Sequence, residues 1–164
     1  LDPKAIVDAF DFNGEQMLII KRHPNQRLNE ENLGRAMTCD DVPTSTVLSV
    51  CDCVITDYSA ITIEAAILHK PVYFYLFDLE DYLSRNGLNV LLSDEFPDSV
   101  FYEPEKLFSS IASGVYDYDN YKRFCEKYLP EQSGRATDKI VALIIDCMRR
   151  DKHEAISERI SEQN

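Results

Sequence analysis

Three short stretches constrain the fold more than anything else in the chain: "QMLIIK" (16–21), "CVIT" (53–56) and "VYFYL" (72–76). Each is apolar along its core rather than on alternate residues. A strand that is apolar on both faces must be covered on both faces, which is the signature of a parallel sheet with helices above and below it. The segments between them read as helices. "AITIEAAILH" follows the second strand, and "LEDYLSRN", stopped by Gly87, follows the third. Strand and helix alternating in this way predict a three-layer α/β/α, Rossmann-like domain with a parallel sheet.

The remaining elements follow from start and stop signals. Asp2 and Pro3 read as N-cap and first helical residue of a helix over 3–12. "RAMTC" (35–39) reads as a short strand ended by Asp40-Asp41, and a fifth strand is expected near 88–92. "PTSTVLSVC" has Pro43 at its start and Val47, Leu48 and Cys51 at helical spacing. "EPEKLFSSIAS", "YDNYKRFCEKYL" and "RATDKIVALIIDCMRR" supply three later helices. Residues 1–150 are expected to form one α/β domain, and residues 151–164 a polar tail or peripheral helix.

Composition narrows the functional classes. A chain of 164 residues is long enough for one domain with a full core. No apolar run approaches the roughly 20 residues of a membrane span, and the N-terminus lacks the basic flank and apolar core of a signal peptide. A net charge of −12 repels phosphate backbones, so no nucleic-acid partner is expected. Within that acidic chain Lys21, Arg22, His23 and Arg27 cluster, which leaves room for a small anionic ligand. Five cysteines in mostly apolar surroundings suggest reduced, buried thiols and a cytoplasmic protein. Cys51 and Cys53 form a CxC, but no second Cys/His pair at ligand spacing accompanies it, so no metal is expected.

Three elements carry anion-binding chemistry. The strand at 53–56 ends in Thr56-Asp57-Tyr58-Ser59, just where a helix begins. In parallel α/β sheets ligands sit beyond the carboxyl ends of strands. A helix start there offers unpaired N–H groups to a phosphate or diphosphate. Plain capping by Asp57 or Ser59 explains the same residues. At a second strand end His23 follows two cations and precedes Pro24, and could donate to a phosphate or move a proton. The third element is Ser133-Gly134-Arg135-Ala136-Thr137, with backbone access at Gly134 and a fork of donors on Arg135; it too can be read as a cap. A phosphoacceptor receiver domain, suggested by Asp57 and Lys70-Pro71, is dismissed because basic residues stand after the first strand where an acidic pair is required.

Taken together, "KRHP", "CDCVITDYSAITIEAAILHKPVYFYLFDLEDYLSRNG" and "GRATDKIV" resemble the C-terminal half of the CDP-glycerol glycerophosphotransferase family, enzymes of teichoic acid biosynthesis in the cell wall. Asp52, Ile55, Thr56, Asp57, Tyr58, Ser59, Glu64, Lys70, Pro71, Asp78, Leu79, Glu80, Tyr82, Gly87 and Gly134 fall on the family's pattern, and the resemblance runs from about residue 15 to 148. Ala60 departs from it, standing where a second Ser is usual, as does Arg135, where Lys is common.

The resemblance implies the C-terminal half of a glycosyltransferase-B architecture, whose partner is an N-terminal α/β domain missing from this chain. This chain is therefore expected to be a domain of a larger enzyme and inactive alone. It further implies a transferase that moves glycerol phosphate from CDP-glycerol, or a similar nucleotide diphosphate, to a polymer or lipid-linked acceptor. No cofactor is implied. The parent enzyme would be cytoplasmic, peripheral on the inner face of the cell membrane. On this reading His23, Ser59, Ala60, Glu64, Ser133, Gly134, Arg135 and Thr137 bind the donor, His23 is also the catalytic candidate, and Asp57 and Tyr58 are structural beside the site. A non-catalytic nucleotide-binding module, or the donor half of another nucleotide-sugar transferase or epimerase, is the competing reading.

Overall fold

The computed structural model describes residues 2–22, 33–129 and 134–161. The chain divides into two compact units, Leu1–Tyr128 and Leu129–Asn164.

In the first unit, α1 (Pro3–Ala9) begins as the sequence predicts. The Asp2 carboxylate accepts from the amides of Lys4 (3.1 Å) and Ala5 (3.3 Å), and Pro3 occupies the first turn. The helix stops before the expected residue 12, because Phe10 turns extended and packs its ring on Phe12 and Phe108. Strand β1 (Ile19–Ile20) pairs in parallel with β2 (Met37–Thr38). After α2 (Thr44–Val50) come β3 (Val54–Thr56), α3 (Ile61–Ile67), β4 (Val72–Tyr75), α4 (Leu79–Arg85), α5 (Leu92–Glu95) and β5 (Val100–Phe101). The unit closes with α6 (Pro104–Ser113), which ends on Gly114 at φ 68°, and α7 (Tyr118–Tyr128).

Strands β3, β4 and β5 form a second parallel ladder in that order, with Ile55 opposite Tyr73 and Phe74 opposite Val100. The expected strand at 88–92 does not form. The free edge of β4 is taken instead by Val100–Phe101, through Phe74 N–H to the Ser99 carbonyl (2.7 Å) and Leu76 N–H to the Phe101 carbonyl (2.8 Å). Leu91 lies half exposed, and residues 92–95 coil into α5. A strand exists only where an edge supplies its hydrogen bonds, and no local pattern reports that edge.

Helices cover both faces. Tyr73, Tyr75, Ile55, Cys53 and Phe101 point to one side, where they pack with Ile6 of α1 and with Leu107 and Ile111 of α6. Phe74 points to the other, against Phe96 (5.0 Å between centroids), which in turn meets Phe124 of α7 (4.8 Å). On that side the Tyr121 hydroxyl donates to the carbonyls of Ala65 and Ala66 in α3. All four residues of β4 are buried, as a strand at the centre of three layers must be. The fold is α/β with parallel strands between helical layers, as expected from the apolar runs.

The cysteines are free, as expected, but not fully buried: four are half-buried and Cys147 is exposed. Cys51 and Cys53 sit at the entry of β3, where the strand is only partly covered. The second unit carries α8 (Ala136–Ser161), a single helix that runs past residue 150.

Candidate functional site at the carboxyl ends of β3 and β4

Because β3 and β4 run parallel and in register, the turns that follow them lie side by side. The turn after β3 is Asp57-Tyr58-Ser59-Ala60, opened by the buried Thr56. Ser59 and Ala60 are exposed and Asp57 and Tyr58 half-buried. Within the turn the Ser59 hydroxyl oxygen accepts from the Ile61 amide (3.3 Å), and the Ser59 carbonyl accepts from the Thr62 hydroxyl (3.1 Å). Ser59 thus satisfies one amide of α3 from the position before the N-cap, Ala60, which makes no side-chain cap bond. Its hydroxyl hydrogen stays available for a ligand oxygen, since this bond uses only a lone pair. Glu64 lies exposed in the first turn of α3.

The turn after β4 supplies what holds Tyr58. Its hydroxyl donates to Oδ1 of Asp78 (3.1 Å), and its ring stacks on Tyr82 with centroids 3.7 Å apart and planes 16° from parallel. Desolvation and the neighbouring Asp78 carboxylate push the Tyr58 phenol well above its ordinary range. Asp78 and Tyr82 were legible as part of "DLEDYL" but not as partners of Tyr58. The signal that finds them is the β3–β4 pairing, which sets two turns 20 residues apart against each other.

The basic cluster behaves differently. Lys21 Nζ donates to the carbonyls of Cys39 (3.2 Å) and Asp40 (2.5 Å). The Arg22 amide donates to Asp40 Oδ1 (3.0 Å), and its guanidinium pairs with Oδ2 of the same carboxylate. These two cations fasten the end of β1 to the end of β2. Hydrogen bonds from Arg22 hold the Asp40 carboxyl below its usual range. His23 and Arg27 lie outside the described residues, as does Ser133. In the second unit Gly134 adopts φ 70°, a left-handed conformation that favours glycine, and a Cβ there would meet nothing within 4 Å. Arg135 is exposed and lies 3.8 Å from Asp138, one turn into α8, and Thr137 is exposed beside it. The CxC thiols are poor anionic ligands, because burial raises Cys51 and drives Cys53 up to about 11.

The CDP-Glycerol:Poly(glycerophosphate) glycerophosphotransferase family matches residues 1–146, a span that includes the β3 and β4 turns and the start of α8. The chain belongs to this family. Its curated relatives include the teichoic acid ribitol-phosphate polymerase TarK of Staphylococcus aureus (strain NCTC 8325 / PS 47), 28% identical over 130 residues that make up 76% of this chain and 25% of TarK. The teichoic acid glycerol-phosphate primase of Bacillus subtilis (strain 168) is 28% identical over 133 residues, 79% of this chain and 35% of the primase. Among solved structures, that of the wall teichoic acid polymerase TagF superposes with a TM-score of 0.60 at 19% identity, over 92% of this chain and 38% of that one. That likeness is one of fold and supports the Rossmann-like reading. The family chain described here thus spans about a quarter to a third of the length of these two curated relatives.

Proposed function

We propose that this chain is the donor-binding part of a glycerophosphotransferase that takes CDP-glycerol, or a nucleotide diphosphate carrying a related polyol, as donor and a teichoic-acid-type polymer or lipid-linked chain as acceptor. Membership of the family over residues 1–146 carries the reading. The exposed Ser59 turn at the carboxyl edge of a parallel ladder supports it, because such an edge is where this kind of sheet takes its ligands. The relatives named for glycerol phosphate and for ribitol phosphate point to a polyol on the donor rather than a sugar ring.

In this reading an acceptor hydroxyl attacks the phosphorus that bears glycerol. A new P–O bond forms, the bond to the bridging oxygen breaks, CMP leaves, and the hydroxyl proton passes to a base. Phosphoryl transfer asks the protein for positioning and charge stabilisation more than for covalent help. Ser59 and the Ala60 amide contact the diphosphate, and His23 and Arg135 contribute charge-assisted donors to it. Ser133, Gly134 and Thr137 are further donor-binding candidates. Glu64 accepts from a ribose hydroxyl, and Asp57 holds the turn. His23, or a histidine of a further domain, serves as the base. A second α/β domain completes the cleft, without which the chain binds donor but transfers nothing. Binding needs no metal or cofactor here, and the whole enzyme works at the inner face of the membrane. Among the described residues no helix is long and apolar enough to cross one.

Isothermal titration of the chain with CDP-glycerol, CMP, UDP-GlcNAc and a GDP-sugar tests this. The expected order places CDP-glycerol first, with no transfer detected. Equal affinity for all four, or turnover by residues 1–164 alone, would overturn the donor-half reading.

A further inference from the structure

Asp78 stands at the N-cap position of α4, where an aspartate ordinarily accepts from the amides of its own first turn. It makes no such bond. Its carboxylate instead reaches across to the preceding strand's turn and accepts from the Tyr58 hydroxyl at 3.1 Å. Tyr82, one turn further along α4, lays its ring flat on the Tyr58 ring, while its amide donates to the Asp78 carbonyl (2.9 Å). Tyr58 is therefore gripped at its tip by Asp78 and along one ring face by Tyr82, both from α4. The residue after it is Ser59.

We propose that Asp78 and Tyr82 are positioning residues that act through Tyr58 to fix the Ser59–Ala60 turn for the donor's diphosphate, a role that rests on the donor reading above. A tyrosine held at both tip and face has little freedom at its own backbone. That backbone sets where the Ser59 hydroxyl and the Ala60 amide point. The brace ties the turn after β3 to α4, in addition to the bonds that Ser59 makes with Ile61 and Thr62 of α3. An aspartate that gives up its own helix cap for a neighbouring turn is explained by the need to hold that turn.

The test uses the full chain in five forms: the parent, Tyr58→Phe, Asp78→Ala, Asp78→Asn and, for the titration, Ser59→Ala. Tyr58→Phe deletes one oxygen and keeps the ring stack, so it remains informative if Asp78→Ala folds poorly. Amide hydrogen exchange at Ile61 and Thr62, whose amides are bound to Ser59, should quicken by about 3- to 10-fold in Tyr58→Phe and Asp78→Ala, as expected for one lost hydrogen bond. Asp78→Asn, which keeps an acceptor oxygen, should restore the parent rate. Ile55 in β3 and Phe74 in β4 should not change. Unchanged exchange at 61 and 62, or an equal rise at 55 and 74, overturns the brace.

CDP-glycerol titration then separates positioning from mere support. Tyr58→Phe and Asp78→Ala should weaken binding by about 3- to 10-fold, and Asp78→Asn by less than about twofold. Quickened exchange with unchanged affinity overturns the positioning role while leaving the donor reading intact. If Ser59→Ala binds as the parent does, or the parent does not bind CDP-glycerol, the donor reading falls instead.

Discussion

The end of β1 and the end of β3 are both strand ends in parallel ladders, and they are built in opposite ways. After β1 come the two cations Lys21 and Arg22, the most obvious anion-binding feature ahead of His23 in the sequence. The structure turns both inward, onto the Cys39 and Asp40 carbonyls and the Asp40 carboxylate. After β3 comes a turn with no cation, in which the residue before the exposed Ser59, Tyr58, is held by Asp78 and Tyr82. Charge counted along a chain reports what a region could attract. Whether that charge is available depends on what else has already claimed it. An anion site needs donors that are fixed in place and still free at the tip, and the β3 turn meets that description better than the Lys21–Arg22 pair does.

The comparison can be broken most sharply at the cations. Arg135→Ala and His23→Ala should each weaken CDP-glycerol binding by roughly 1.5–3 kcal/mol, the range for a charge-assisted contact. Lys21→Gln, at a cation already committed to carbonyls, should leave affinity unchanged. Calorimetric titration of the three variants decides it: parent-like binding by both alanine variants would mean that no cation reaches the ligand and the Ser59 turn is only a helix cap. A smaller effect sharpens the β3 side. Ala60→Ser restores the hydroxyl usual at that position in the family and should tighten diphosphate ligands by about 0.5–1.5 kcal/mol, one net hydrogen bond. No gain would place the ligand away from residue 60.

The smallest effect concerns the β1 end and is read from stability. The Arg22 contacts depress the Asp40 pKa below its unfolded value, so the folded state binds its proton less readily than the unfolded chain does. The stabilisation is complete above the unfolded value of about 4 and is lost as pH falls through the folded one. Asp40→Asn should therefore lower the urea midpoint at pH 7 and converge on the parent as the pH drops below about 4. A constant gap across that range would mean that the pair contributes nothing specific to the charged carboxylate.

Much of the fold was legible because its signals are local or periodic. Asp2-Pro3 opens a helix by satisfying amides two and three residues away, and "VYFY" announces a buried strand by having no polar face. The strand expected at 88–92 shows where such reading stops. "LNVLL" has strand composition, but the edge of β4 was filled by Val100–Phe101, which no local preference distinguishes. The site divides in the same way. Ser59 was legible from its place between a strand and a helix. The Tyr58–Asp78 contact was not, because it joins residues 20 apart whose meeting depends on strand register.

Taken alone, the sequence determined the class of fold, the family and the turn after β3, since apolar runs, caps and motif residues act over a few positions and leave their mark in order along the chain. Only the tertiary structure decided which strand completes the ladder, that Lys21 and Arg22 are spent on the β2 end, and that Asp78 serves Tyr58 instead of its own helix. Each of these is a competition among partners distant in sequence for the same hydrogen bond, and the winner is set by which of them the packed sheet brings within about 3 Å.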